Sequence, residues 1–205
     1  MRMPDRLHTF ALDAIAPRPW KNGGGATREI LCLPPGVDLD HFLWRVSLAE
    51  IAADGPFSSF PGVDRIITLI DGAGVHLQGV GEAGDGVDHR LDTPLQPFAF
   101  AGEQPVHARL LDGPCHDLNI MARRGACRSH VDIVQGEAPV APGEAGLVLA
   151  CRGAWRMRAS DGRVIDLPAR SGAWWDRAAL APRSVEPTTD DPRAALLVAR
   201  MERRP

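Results

Sequence analysis

Lys21 is the only lysine in the chain, and it stands beside Asn22, one of two asparagines, ahead of three glycines. A lysine carries a compact cation with three donors, which suits a carboxylate ligand. The glycines permit positive φ and close backbone approach. The turn in PWKNGGGATREI (Pro19–Ile30) is therefore expected either to project Lys21 and Asn22 into a cavity or simply to feed the strand that follows. It has neither the order of a phosphate loop nor a G-x-G-x-x-G pattern. In the following strand, alternation puts Thr27 and Glu29 on one face and Arg28 and Ile30 on the other.

Three further stretches carry candidate groups. In LWRVSLAEI, Arg45 and Ser47 share one strand face, while Trp44, Val46 and Leu48 share the opposite one. A polar face turned outward leaves Arg45 solvated. Turned into a barrel, it makes Arg45 a bidentate carboxylate anchor. Trp44 and Arg45 cannot both face one cavity, and Arg45 is the candidate. The loop DGPFSSFPGVDR (Asp54–Arg65) is rich in proline and aromatic residues. Its Phe57, Ser58 and Phe60 are expected to cap a barrel mouth or to staple the loop to the core, and Asp64 and Arg65 follow. In HDLNIMARR, Asp117, Asn119 and Met121 alternate against His116, Leu118 and Ile120. A buried Asp/Asn pair needs hydrogen-bond partners, and Lys21 or Arg45 is expected to supply them.

Several chemistries lack their residues. No two of the seven histidines are closer than nine positions, and H-x-H, H-E-x-x-H and C-x-x-C are all missing. No G-x-S-x-G elbow occurs. No metal, no cofactor and no catalytic set are expected. The four scattered cysteines read as reduced. A net charge of -3 offers no basic field for nucleic acid. No apolar run approaches a membrane span. Asp5, Arg6, His8 and Asp13 interrupt any signal-peptide core, so the expected location is cytoplasmic.

Short apolar runs punctuated by Gly, Pro and Asp must position these groups. Their spacing predicts an antiparallel sandwich or barrel, and only SLAEIAAD (Ser47–Asp54) has a helical pattern. LIDGAGVHLQG and VLACRGAWRMRAS align as a weak repeat, with Gly72 matching Gly153. Duplication of one barrel unit accounts for this, as does coincidence among glycine-rich hairpins. APVAPGEAG (Ala138–Gly146) reads as the linker between halves. Barrels with long edge strands often pair, so a homodimer is one expectation.

Together, PWKNGGGATREI, WRVSLAEIAADGPFSSFPGVDRIITLIDGAGVHL and PFAFAGEQPVHARLLDGPCHDLNIMARR resemble the HutD/Ves family over Pro19 to about Arg124. The resemblance implies an all-β, RmlC-like double cupin, a jelly-roll β-barrel fold with two halves in one compact chain. Residues 1–135 would form the first half, with the family motifs, and residues 136–205 the second. It also ties the chain to bacterial histidine utilization, whose intermediates are small carboxylates. The expected function is non-catalytic binding of such an anion, of the urocanate, formiminoglutamate or formylglutamate class. Lys21, Arg45 and Arg65 would be its charged partners and Asn22, Ser47 and Asn119 its neutral donors. The alternative is a metal-independent cupin isomerase, epimerase or hydrolase on a small acid, with Glu29 or Asp117 as base and Lys21 as electrostatic stabiliser.

Overall fold

A computed structural model describes residues 7–80 and 86–204 of the chain. Residues 1–6, 81–85 and 205 lie outside the described residues, among them Asp5 and Arg6 of the N-terminal reading. The strands run, in chain order, β1 (His8–Ala11), β2 (Arg18–Pro19), β3 (Gly25–Leu33), β4 (Trp44–Ile51), β5 (Gly55–Pro56), β6 (Val63–Asp71), β7 (Val75–Gly79), β8 (Asp88–Leu91), β9 (Pro97–Ala101), β10 (Val106–Leu110), β11 (Cys115–Arg123), β12 (Cys127–Val134), β13 (Ala138–Pro139), β14 (Ala145–Arg152), β15 (Trp155–Ala159), β16 (Val164–Leu167), β17 (Ser171–Trp175), β18 (Pro182–Pro187) and β19 (Ala195–Arg203). Short 3-10 turns at Leu12–Ala14 and Ala178–Leu180 are the helical elements among the described residues.

The chain packs as two compact units, residues 16–128 and residues 129–205 joined by the segment up to Ile15. This differs from the expected division after residue 135. β1 pairs with β17, from His8 opposite Trp174 to Ala11 opposite Ser171, so the N-terminal segment is a strand of the second unit. β12 stands beside β19 in that unit's larger sheet, so the division falls ahead of the Pro/Gly-rich stretch rather than within it. The covalent chain there is a continuous strand, and pairing overrides the composition cue.

Each unit consists of two antiparallel sheets, and their orders repeat. The first unit has β2-β3-β4-β11-β6-β9 and β5-β10-β7-β8; the second has β1-β17-β14-β19-β12 and β13-β18-β15-β16. Read from the other edge, β9-β6-β11-β4 has the order of β17-β14-β19-β12, and β5-β10-β7-β8 that of β13-β18-β15-β16. The weak sequence repeat is thus a repeated topology, as duplication requires. Gly72 and Gly153 occupy the matching turns, with φ +89° and +71°, a region most side chains avoid. The fold is an all-β double cupin.

The two interiors differ in chemistry. In the second unit Trp155, Met157, Leu167, Trp175, Val185 and Leu196 form one fully buried apolar cluster. In the first, Ile51, Ile67, Leu69, Leu77, Val106 and Cys115 form an apolar cluster, and buried polar groups share the same strands. Ser47–Ile51 is strand, against the helical expectation. Trp44, Val46 and Leu48 are buried on one face of β4, and Arg45, Ser47, Ala49 and Ile51 are buried on the other. A strand buried on both faces loses the polar/apolar alternation that identifies it.

Candidate functional site

The register of the first unit's larger sheet builds the site row by row. β11 pairs with β4 on one side and β6 on the other, and β3 pairs with β4. One row reads Cys32, Arg45, Met121, Arg65, Phe100 across β3, β4, β11, β6 and β9. The next reads Glu29, Ser47, Asn119, Ile67. The third reads Thr27, Ala49, Asp117, Leu69. Facing residues in neighbouring strands point the same way, so two arginines, an asparagine and an aspartate separated by up to 74 positions (45 to 119, 65 to 117) converge on one interior face. A bulge in β3 between Glu29 and Leu31 keeps both Glu29 and Cys32 in that set.

Of these rows, Thr27, Arg45, Ser47, Ala49, Arg65, Asp117, Asn119 and Met121 line a cavity of about 500 Å³ together with Trp20, Lys21, Asn22, Leu39, Phe57, Ser58 and Phe60. Of the buried polar or charged residues in the described chain, Arg45, Ser47, Arg65, Asp117 and Asn119 all line it, and Thr68 does not. Burying this many polar groups in one place costs folding free energy unless they are paired.

The pairing is incomplete. The Arg45 guanidinium donates through Nε to Glu29 Oε2 at 2.8 Å and through Nη1 to Ser47 Oγ at 3.3 Å. Arg65 Nε donates to Asn119 Oδ1 at 3.3 Å. The Arg65 guanidinium carbon lies 4.9 Å from the Phe57 ring centroid, 5.0 Å from Phe100 and 5.8 Å from Phe60. Three aromatic faces hold one cation by cation–π attraction, leaving its terminal nitrogens for the cavity. Burial pushes the Arg65 guanidinium down to about 10, with Asp117 pulling it back up and the like charge of Arg45 adding to the fall. It stays charged at neutral pH. Burial pushes the Asp117 carboxyl up to about 7, opposed by Arg65 and His116. Among the described residues no donor reaches Asp117 Oδ1, which is fully enclosed.

The mouth is built from two turns. Trp20 N–H donates to Gly25 O at 2.9 Å and Gly23 N–H to Trp20 O at 3.0 Å, closing the glycine turn between β2 and β3. Asn22 Oδ1 accepts from Gly24 N–H at 3.1 Å, which leaves both its amide donors for the cavity. A Cβ at Gly25 would lie 2.0 Å from Glu50 O and 2.9 Å from the Trp20 ring, so the turn requires glycine there. Trp20 Nε1 donates to Thr27 Oγ1 at 2.7 Å, fixing the indole against the wall. Lys21 stands on the exposed rim. Opposite, Phe57 N–H donates to Val106 O and Phe60 N–H to Gly102 O, both at 2.8 Å, which docks the aromatic loop on the barrel.

Among the sequence candidates, Lys21, Asn22, Thr27, Arg45, Ser47, Phe57, Ser58, Phe60, Arg65, Asp117 and Asn119 stand together at this cavity. Glu29 is one step back, bonded to Arg45. Asp64 is elsewhere. Alternation turns it to the opposite face of β6 from Arg65, where it accepts from Arg124 Nε at 2.6 Å. Of the Asp/Asn pair, Asn119 finds its partner in Arg65 of the adjacent strand rather than in Lys21 or Arg45, and Asp117 Oδ1 has none among the described residues. Trp20, Leu39 and Met121 also line the cavity, unanticipated from sequence. Trp20 had a signal, since it precedes Lys21 in the same turn. Leu39 had none. Among the described residues no group of three or more His, Cys, Asp and Glu side chains converges as metal ligands, and no described helix is long and apolar enough to cross a membrane.

Comparison with known proteins agrees with the fold. The chain is 41% identical to Protein Ves of Cronobacter sakazakii over 157 residues, covering 76% of this chain and 80% of that one. The structure of HutD from Pseudomonas fluorescens SBW25 (formate condition) is similar with a TM-score of 0.80 and 31% identity, over 98% of this chain and 100% of that chain. A variant of Bacillus subtilis oxalate decarboxylase is similar in fold alone, with a TM-score of 0.62, 11% identity and coverage of 98% and 78%. The HutD family model matches residues 13–192, and the chain belongs to the HutD family.

Proposed function

We propose that this protein binds a small carboxylate metabolite of histidine degradation, of the urocanate, formiminoglutamate or formylglutamate class, without transforming it, and so modulates histidine utilization. The observation that carries the reading is the charge inside the first unit. Arg45 and Arg65 are both buried at one cavity. Glu29 engages one of them, while burial holds Asp117 partly protonated near neutral pH. Lys21 at the rim adds a third cation. An interior with surplus positive charge and free guanidinium donors recruits an anion that completes its hydrogen bonds. The cavity volume falls within the usual range for small-ligand sites. HutD is a structural relative, and the family resemblance supplies the metabolic context.

The test is ligand-induced stabilisation against histidine, urocanate, formiminoglutamate and formylglutamate. A ligand at a hundred times its Kd adds about 2.7 kcal/mol, which for a chain of this length is about 5–10 °C in Tm. A flat response to the whole panel would remove the reading.

A second reading is a metal-independent enzyme on a small acid, with Lys21 and a carboxylate as catalytic groups. Its support is Asp117, whose carboxyl titrates near 7, where a general acid or base works best. Product formation from any panel compound, lost in Asp117→Asn with folding intact, would favour it. Unchanged compound after prolonged incubation would leave binding alone.

A further inference from the structure

Among the described residues, Glu29 is the one carboxylate in an ion pair with an arginine of the cavity, yet it does not itself line the cavity. It lies on β3 opposite Ser47, and its side chain crosses to the neighbouring row to meet Arg45. Its Oε2 accepts from Arg45 Nε at 2.8 Å. Arg45 Nη1 donates to Ser47 Oγ at 3.3 Å and lies 3.8 Å from Met121 Sδ. Arg45 Nη2 has no partner among the described residues and is not enclosed, so it opens on the cavity. The same holds for both terminal nitrogens of Arg65, whose Nε is taken by Asn119. Glu29 therefore fixes which edge of the Arg45 fork a ligand meets. It also sets the local charge. The Arg45 side chain is 11% exposed and the Glu29 side chain 33%. A guanidinium this deep, with the like charge of Arg65 close enough to act on it, is costly without a counter-charge, and in the unliganded protein Glu29 is that counter-charge.

Resting on the anion-binding reading above, we infer that Glu29 is a positioning residue that limits the affinity of the site. It aims the open edge of Arg45 at the incoming carboxylate, and its own charge opposes that carboxylate from the far side of the same guanidinium. The two effects act in opposite directions. Holding the fork favours capture, because the donors are already placed. The like charge disfavours it. Two carboxylates on opposite edges of one guanidinium stand about 6 Å apart, and at the effective dielectric of a partly wet site their repulsion weakens binding about tenfold. The consequence is reversible capture: the anion is recognised by both arginines and still released. An ion pair kept only for stability would make the opposite prediction, since removing its charge would never tighten binding.

Titration calorimetry on the full chain with urocanate, formiminoglutamate and formylglutamate tests this in three variants. Glu29→Gln keeps an acceptor at Arg45 Nε and removes the charge. Glu29→Asp keeps the charge on a side chain one methylene too short to hold Nε. Glu29→Ala removes both. Whichever acid binds the wild type should bind Glu29→Gln about tenfold tighter. It should bind Glu29→Asp more weakly than the wild type, and Glu29→Ala more tightly than Glu29→Asp, since those two differ in charge alone. Binding to Glu29→Gln that is equal to or weaker than binding to the wild type would overturn the inference while leaving anion binding intact. Should Glu29→Gln fail to fold, the comparison of Ala with Asp decides by the same criterion, and equal affinities there would overturn it. Failure of every acid to bind any of the four proteins would instead remove the function proposed above.

Discussion

Replacing Asp117 with asparagine changes how stability depends on pH, and the sign follows from its environment. An exposed aspartate in the unfolded chain titrates near 3.8, whereas burial raises the folded carboxyl to about 7. Between those values the folded state holds a proton that the unfolded state has lost. Stability from this group is therefore full below about pH 4 and is lost as pH rises toward 7. The shift of about three units corresponds to about 4 kcal/mol as an upper bound, at 1.36 kcal/mol per unit. Relaxation around the charged carboxylate reduces what is observed, so about 2–4 kcal/mol is expected over the whole range. Between pH 5 and pH 8 only about two of those three units are crossed, at most about 3 kcal/mol, which for a chain of this length is at most about 6–12 °C in Tm. Asparagine keeps the shape and cannot ionise, so the variant should lack this part of the fall and be the more stable protein at pH 8. Urea unfolding followed by tryptophan fluorescence at several pH values measures both curves. Parallel curves for the two proteins would show that Asp117 titrates near its ordinary value, and the account of its burial would be wrong.

Three other outcomes follow from the same geometry. Arg65→Met keeps an apolar body against Phe57, Phe60 and Phe100 but removes the fork, so the panel-induced rise in Tm should disappear while the unliganded protein stays folded by circular dichroism. Lys21→Ala removes only an exposed rim charge, so calorimetry should show a loss under tenfold and a weaker dependence on salt. Gly25→Ala forces a Cβ against Glu50 O, and thermal unfolding should show a loss of at least about 2 kcal/mol, within the range for strained backbone substitution.

The residues that carry the site were largely legible because strand alternation is local. Arg45 against Trp44, and Asp117 with Asn119, follow from the period of two. The rows that join them were not, because register is set by pairing between strands far apart in sequence. Nothing local says that Met121 separates Arg45 from Arg65, or that Asn119 answers Arg65. The chain order gave the same difficulty at β1, whose partner β17 lies more than 150 positions away. Asp64 was misplaced because a neighbour in sequence is an opposite in a strand. The helical reading of Ser47–Asp54 failed because both faces of β4 are buried, which leaves no alternation to see. Emphasis also shifts. The unusual lysine marks the entrance, and the charge that defines the interior belongs to two arginines whose type is common in this chain.

A crystal structure of the protein soaked with the tightest-binding acid of the panel tests the central claim most directly. The account predicts a carboxylate inside the barrel of residues 16–128, with its oxygens within about 3 Å of the Arg65 guanidinium nitrogens and beside Arg45. Density for the acid at any other place, with the arginine row untouched, would contradict it.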